Sequence, residues 1–200
     1  MRWPTLCWDR RPHPGVDMEI GVDAFDAAGI CPGQRVLVVG AFVPFLRELK
    51  KRGQPYLVLE QDPAILKADE LPYFRYAAEA PAVVPQADVL LVTGTTLLND
   101  TLDEILAAAR PDACKVVVGP TVGLVPDAYL RRDCGVLGTI RVTRGDEFLD
   151  VLAEGGSGYH FFGQSAEKIV LKSRRLAAGR ERGHAQTLGA LAATSALPAV

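Results

Sequence analysis

Short apolar runs alternate with amphipathic stretches along most of this chain. Residues 35–39, 56–59, 89–93, 115–118 and 136–142 are strand-length runs rich in valine and leucine. Apolar runs of that length, without strict alternation, fit strands buried on both faces. Between them, residues 45–52, 100–110 and 146–153 carry apolar positions at helical spacing, clearest in Leu102, Ile105, Leu106 and Ala109. Gly53 ends the first of these helices. Residues 19–28 predict a short helix ended by Gly29, 82–84 a minor strand, and 165–178 a basic helix. Strands alternating with helices predict an α/β, Rossmann-like fold: an open, mostly parallel sheet with helices on both faces.

Residues 1–30, interrupted by Pro4, Pro12, Pro14 and Gly15, read as an irregular N-terminal segment. Residues 31–172 then form the Rossmann-like ligand-binding domain, and 173–200 a basic, later alanine-rich tail. The length of 200 residues suits one domain with its own core. A net charge of -2 gives no electrostatic case for nucleic acid or an anionic membrane surface. No apolar run reaches the roughly 18 residues that span a bilayer. The start, Met1-Arg-Trp-Pro, lacks the apolar centre of a signal peptide. A cytoplasmic location is the expectation. Cys7, Cys31, Cys114 and Cys134 are scattered without close pairs, so free and mostly buried thiols are expected, not a zinc site.

Open α/β sheets bind ligands at the carboxyl ends of their strands, which directs attention to four segments. Gly40 follows the first strong strand, yet Gly-x-Gly-x-x-Gly is absent. Phe42 and Pro44 occupy places where backbone would have to approach a pyrophosphate, so an NAD site is not expected. Glu60 lies 20 residues after Gly40, the spacing at which a carboxylate accepts ribose hydroxyls. Its other reading is an exposed carboxylate at a strand end. Gly94, Thr95 and Thr96 offer amides and hydroxyls, and Asn99 either caps the following helix or faces a ligand. Thr101 and Glu104 have capping-box spacing. Gly119 and Thr121 make a turn that either contacts a ligand or merely reverses the chain. Gly155 and Gly156 permit unusual backbone angles and suggest a flap over the site. His160, beside Phe161 and Phe162, is either a packed residue or a ligand or acid–base group. No Walker loop, nucleophile elbow or His-Glu-x-x-His helix is present. These residues leave binding and catalysis both open.

From Gly33 to about Leu171 the chain resembles the prokaryotic "putative heavy-metal chelation" domain family. The resemblance rests on Val39-Gly-Ala-Phe-Val-Pro44, Glu60, Thr93-Gly-Thr-Thr-Leu-Leu-Asn-Asp-Thr-Leu102, Gly119-Pro-Thr121, Glu154-Gly-Gly156 and Phe161-Phe162, in that order. It implies a Rossmann-type domain behind an N-terminal domain similar to the enolase N-terminal fold, with a ligand crevice between them and metal chelation as the activity. Two departures stand out. About 30 residues precede the first strong strand, so the N-terminal domain is expected to be largely missing, with Ile20-Gly-Val-Asp-Ala-Phe-Asp26 as its remnant. Asp100 also stands where the family often has histidine, which suits a harder cation.

The resulting expectation is a small-ligand or metal-binding protein, handling a divalent metal or a nucleotide-like molecule at the carboxyl edge of the sheet. Glu60, Asp100 and His160 are the candidate metal ligands. One alternative is a Rossmann-type transferase or lyase acting on a nucleoside-containing substrate such as S-adenosylmethionine. A second is an accessory subunit. Apolar surface expected at Phe42, Phe45 and Tyr73 suggests a homodimer, or a partner supplying the missing domain.

Overall fold

The computed structural model describes residues 13–123 and 125–175. Its strands are β1 (Val16–Ile20), β2 (Val36–Val39), β3 (Tyr56–Glu60), β4 (Phe74–Tyr76), β5 (Val89–Thr93), β6 (Cys114–Val118), β7 (Cys134–Val142) and β8 (Ala166–Ser173). Its α-helices are α1 (Ala24–Ala27), α2 (Val43–Lys51), α3 (Ala80–Val83), α4 (Leu102–Ala108), α5 (Asp127–Leu130), α6 (Gly145–Ala153) and α7 (Gly158–Phe161). One sheet holds all these strands in the order β1-β8-β7-β6-β5-β2-β3-β4. Strands β2 to β7 pair in parallel, while β8 pairs antiparallel with both β7 and β1. Counted from β2, the parallel strands run 3-2-1-4-5-6, the doubly wound order that reverses direction between β2 and β5.

The pleat sends alternate residues to opposite faces, and each face has its own core. Leu37, Leu59, Leu90, Val92, Val117 and Leu137 meet Leu102, Ile105 and Leu106 of α4 and Tyr129 of α5 on one face. Val36, Val38, Val58, Leu91, Val116 and Val136 meet Phe45, Leu46 and Leu49 of α2 and Phe25 of α1 on the other. Strands with apolar residues on both sides can only lie between two helical layers. The Rossmann-like reading therefore stands.

Four local readings are corrected. Glu19 and Ile20 belong to β1, and only Ala24–Ala27 is helical in the stretch read as one helix. Asp17 and Glu19 pair across the strands with Arg174 at 2.7 Å and Lys172 at 2.9 Å, partners no local window contains. The segment read as irregular thus contributes an edge strand and a helix to the sheet. Residues 166–173 form a strand, not a basic helix; the run Ile169-Val170-Leu171 is too short for periodicity to separate the two. The rest of that predicted tail, from residue 176, lies outside the described residues. Ala80–Val83 is helical, and the small edge strand is Phe74–Tyr76 instead. Helix α4 begins at Leu102 with no side-chain cap from Thr101, so the Thr101–Glu104 capping box does not form.

Phe45 is buried, and Phe42 stacks on it with ring centroids 5.0 Å apart. Phe45 does not supply the bare apolar surface expected of it, Phe42 is half-buried, and Tyr73 is exposed. Among the described residues no helix is long and apolar enough to cross a membrane.

Candidate ligand crevice at the sheet switch point

The site is built where β2 and β5 end side by side and their chains depart in opposite directions. Gly40 leaves β2 with φ +92°, and a Cβ there would stand 2.8 Å from Thr93 Cγ2. Only glycine allows both that angle and that approach. On the far side of β2, the Glu60 carboxylate ends β3. Its Oε2 accepts the Ala41 N–H at 3.0 Å and its Oε1 the Gln61 N–H at 2.7 Å. Each carboxylate oxygen has a second lone pair, so Glu60 ties the two turns together and can still receive a ligand donor.

At the end of β5, Thr93 opens a tight turn over Gly94–Leu97. The Thr93 and Thr95 hydroxyls are 3.0 Å apart, and the buried Thr96 hydroxyl donates to the Thr93 carbonyl at 2.6 Å. Asp100 takes a left-handed conformation, φ 58°, which redirects the chain into α4. Thr101 Oγ1 donates to Asn99 Oδ1 at 2.7 Å. Asn99 therefore holds the turn in place of capping the helix.

These turns, with the segment around α3 and one face of α4, enclose a crevice of about 440 Å³. Of the residues singled out in the sequence, Gly40, Glu60, Thr95, Thr96 and Asn99 line it. The sequence reading missed Thr93, Thr101 and Glu104 as lining residues, and it missed the apolar wall of Ala77, Ala78, Ala80, Pro81, Ile105 and Ala108. One signal was available. Thr101, Glu104, Ile105 and Ala108 recur at i, i+3, i+4 and i+7, a single face of α4.

The other candidates lie elsewhere. Phe42, half-buried, packs against the core beside α2. Gly94 is buried because Thr121 and Val122 sit against it: a Cβ at Gly94 would lie 2.4 Å from Thr121 Oγ1 and 2.7 Å from Val122 Cγ2. Gly119 donates its N–H to the Gly138 carbonyl at 2.9 Å, closing its turn onto β7. Gly155 (φ +75°) and Gly156 end α6, donating to the Leu152 and Val151 carbonyls at 3.0 and 2.8 Å. That is a Schellman helix stop and accounts for both glycines without a flap. His160 is exposed, and its Nδ1 lies 3.0 Å from the Ser157 N–H that it caps. Asp100 lines a separate depression of about 240 Å³, where Arg132 is held by Asp103.

Glu60, Asp100 and His160 are thus not assembled into a metal site. Among the described residues no group of three or more histidine, cysteine, aspartate or glutamate side chains could hold a metal ion. The thiols do not repair this. Cys31 is exposed and away from the crevice, Cys114 is buried, and burial pushes the Cys134 thiol up to about 12. Burial of this kind disfavours the thiolate that a soft metal takes as its ligand. Cys7 and His184 lie outside the described residues.

Comparison with known proteins places this geometry in a family. In structure the chain is similar to a DUF364-family protein of unknown function from Pyrococcus horikoshii, with TM-score 0.66 and 22% identity over 78% of this chain and 60% of that one. It is similarly related to a DUF364-family protein of unknown function from Desulfitobacterium hafniense, with TM-score 0.61 and 19% identity over 77% and 59%. In sequence it is 34% identical over 98 residues to an uncharacterized protein of Methanocaldococcus jannaschii, which is 48% of this chain and 36% of that protein. The chain therefore spans at most about three-fifths of the length of these relatives. A family description, "putative heavy-metal chelation", matches residues 23–171. The chain belongs to that family, DUF364.

Proposed function

We propose that this protein binds a small organic molecule, not a bare heavy-metal ion, in the crevice at the carboxyl ends of β2, β3 and β5. The observation that carries the reading is the crevice itself: about 440 Å³ at the point where the strand order reverses, lined by hydroxyls and carboxylates on one side and small apolar groups on the other. That size and mixed lining suit a small ligand. Its carboxylate, hydroxyl and amide oxygens suit hard cations, whereas thiophilic metals select thiolate and imidazole. In this reading the metal chemistry named for the family reaches the chain only within an organic ligand. Glu60 accepts that ligand's donors through its remaining lone pairs.

Thermal shift and native mass spectrometry of gently purified protein test this. Organic compounds, with nucleosides and adenosyl compounds as first probes, are expected to raise the melting temperature of the wild type. The effect should vanish in Ala78→Trp, which fills the crevice from an exposed position. Stabilisation by Zn²⁺ or Ni²⁺ alone that survives Ala78→Trp overturns the proposal.

A further inference from the structure

The hydrogen bonds already made around the crevice leave it mostly acceptors. Thr96 Oγ1 has spent its proton on the Thr93 carbonyl, and Thr101 Oγ1 has spent its own on Asn99 Oδ1. Both hydroxyls now face the crevice wall as acceptors only. Thr93 and Thr95 share one proton between them, so that pair retains a single free donor. Glu60 keeps one lone pair on each oxygen after binding Ala41 and Gln61. Glu104, exposed on α4, adds a second carboxylate, and none of the lining residues is a lysine, arginine or histidine. Apart from the Asn99 and Gln61 amides, the polar wall accepts far more than it donates, and its only charges are negative.

An anionic ligand fails here for a specific reason. In a dinucleotide site the backbone amides after the first strand receive the pyrophosphate. In this chain the Ala41 amide is already held by the Glu60 carboxylate, which would repel a phosphate arriving at that turn.

We infer that the crevice accommodates an organic cation rich in N–H donors, a protonated amine or guanidinium. Its charged end lies between Glu60 and Glu104, and its aliphatic part lies along Ala78, Pro81 and Ile105. The inference rests on the reading of the crevice as a ligand site. Charged donors on carboxylates form the stronger class of hydrogen bond, and the alanine and proline wall gives an aliphatic stem a surface to cover.

The experiment is a calorimetric titration of the full chain with the dication agmatine, with pentylurea, in which neutral groups replace both of its charged ends, and with the anion 5-ureidopentanoate. Agmatine is expected to bind. Pentylurea should bind at least about tenfold more weakly, since a hydrogen bond to a charged group contributes roughly 1.5–3 kcal/mol. Glu104→Gln is expected to weaken agmatine about threefold, as an exposed ion pair does, and to leave pentylurea unchanged. Raising the salt should weaken agmatine and leave pentylurea unaffected.

Equal or tighter binding of pentylurea or 5-ureidopentanoate overturns the inference. So does agmatine affinity indifferent to Glu104→Gln, or Mn²⁺ alone binding in a Glu104-dependent way. Ala78→Trp separates the two levels. If a neutral or anionic compound binds and Ala78→Trp abolishes it, the crevice is the site and only the cationic assignment falls. If agmatine binds and Ala78→Trp leaves it untouched, the crevice reading itself is wrong.

Discussion

Two stretches of the same carboxyl edge look alike in sequence and end differently. Around β2, β3 and β5, glycine, threonine and glutamate surround an open crevice. Around β6 and β7, an equally polar and glycine-rich set (Gly119, Thr121, Gly155, Gly156, His160) closes on itself. The difference lies in where the hydrogen bonds go. In the second region the glycine N–H groups are consumed by Gly138, Leu152 and Val151 carbonyls, and His160 caps Ser157. In the first, the turns are also satisfied internally, but the strand order reverses there and the chains splay apart. Polar and glycine content marks a turn; a change of winding direction makes the space.

The comparison can be broken by substitutions that ought to affect only one of the two regions. The largest effect is expected at their junction. Gly94→Ala drives a methyl group against Thr121 and the buried Val122 and should destabilise the fold by about 3 kcal/mol, the upper end for overpacking. Adding Thr121→Ala should recover only part of that loss, because Val122 Cγ2 remains at 2.7 Å. Urea denaturation midpoints of the single and double variants decide this; full recovery would place the clash on Thr121 alone.

Next comes the opposite edge of the sheet. Asp88 accepts the Arg35 N–H at 2.7 Å and pairs with the Arg35 and Arg110 side chains, tying the start of β2 to that of β5. The Arg35 hydrogen bonds hold its carboxyl well below the usual range for aspartate. A carboxyl lowered on folding stabilises above its unfolded value of about 3.9 and loses that contribution as the pH falls further. Stability should therefore decline below about pH 4. Asp88→Asn should show a shallower decline there. Asp88→Ala should cost about 2 kcal/mol near neutrality. Ligand binding at the far edge should be unaffected by either.

Smaller effects belong to the closed region. Gly155→Ala must hold a left-handed angle with nothing within 4 Å of its new methyl group, so strain of about 1 kcal/mol is the whole cost. A substantial loss of ligand stabilisation in this variant would restore the flap reading. His160→Ala removes one cap contact and should cost about 0.5 kcal/mol, again with no change in binding. Loss of binding there would return His160 to the site.

Much of this is legible in the amino-acid sequence. The valine-rich runs declared buried strands, because no surface strand tolerates apolar residues on both faces. Gly40, Glu60 and the Thr95–Thr96 pair were located at strand ends, and strand ends of a doubly wound sheet converge on one crevice. The failures were of two kinds. Edge strand β1 was read as irregular chain running into a helix, and strand β8 as a basic helix, because their identity rests on pairing: Asp17 with Arg174 and Glu19 with Lys172 lie more than 150 residues apart. Glu104 was read as half of a capping box because local spacing cannot show which face of α4 meets the sheet.

Local properties of the chain, its apolar runs, helical periodicity and turn residues, are enough for the central parallel strands and the edge that carries the crevice, because those strands are buried on both faces wherever they pair. Tertiary structure alone decided which polar groups were spent and which remained to face a ligand. A hydroxyl or an amide is donor, acceptor or neither according to its partner, and at Glu60 the partner that matters is Ala41, contributed by another strand's turn.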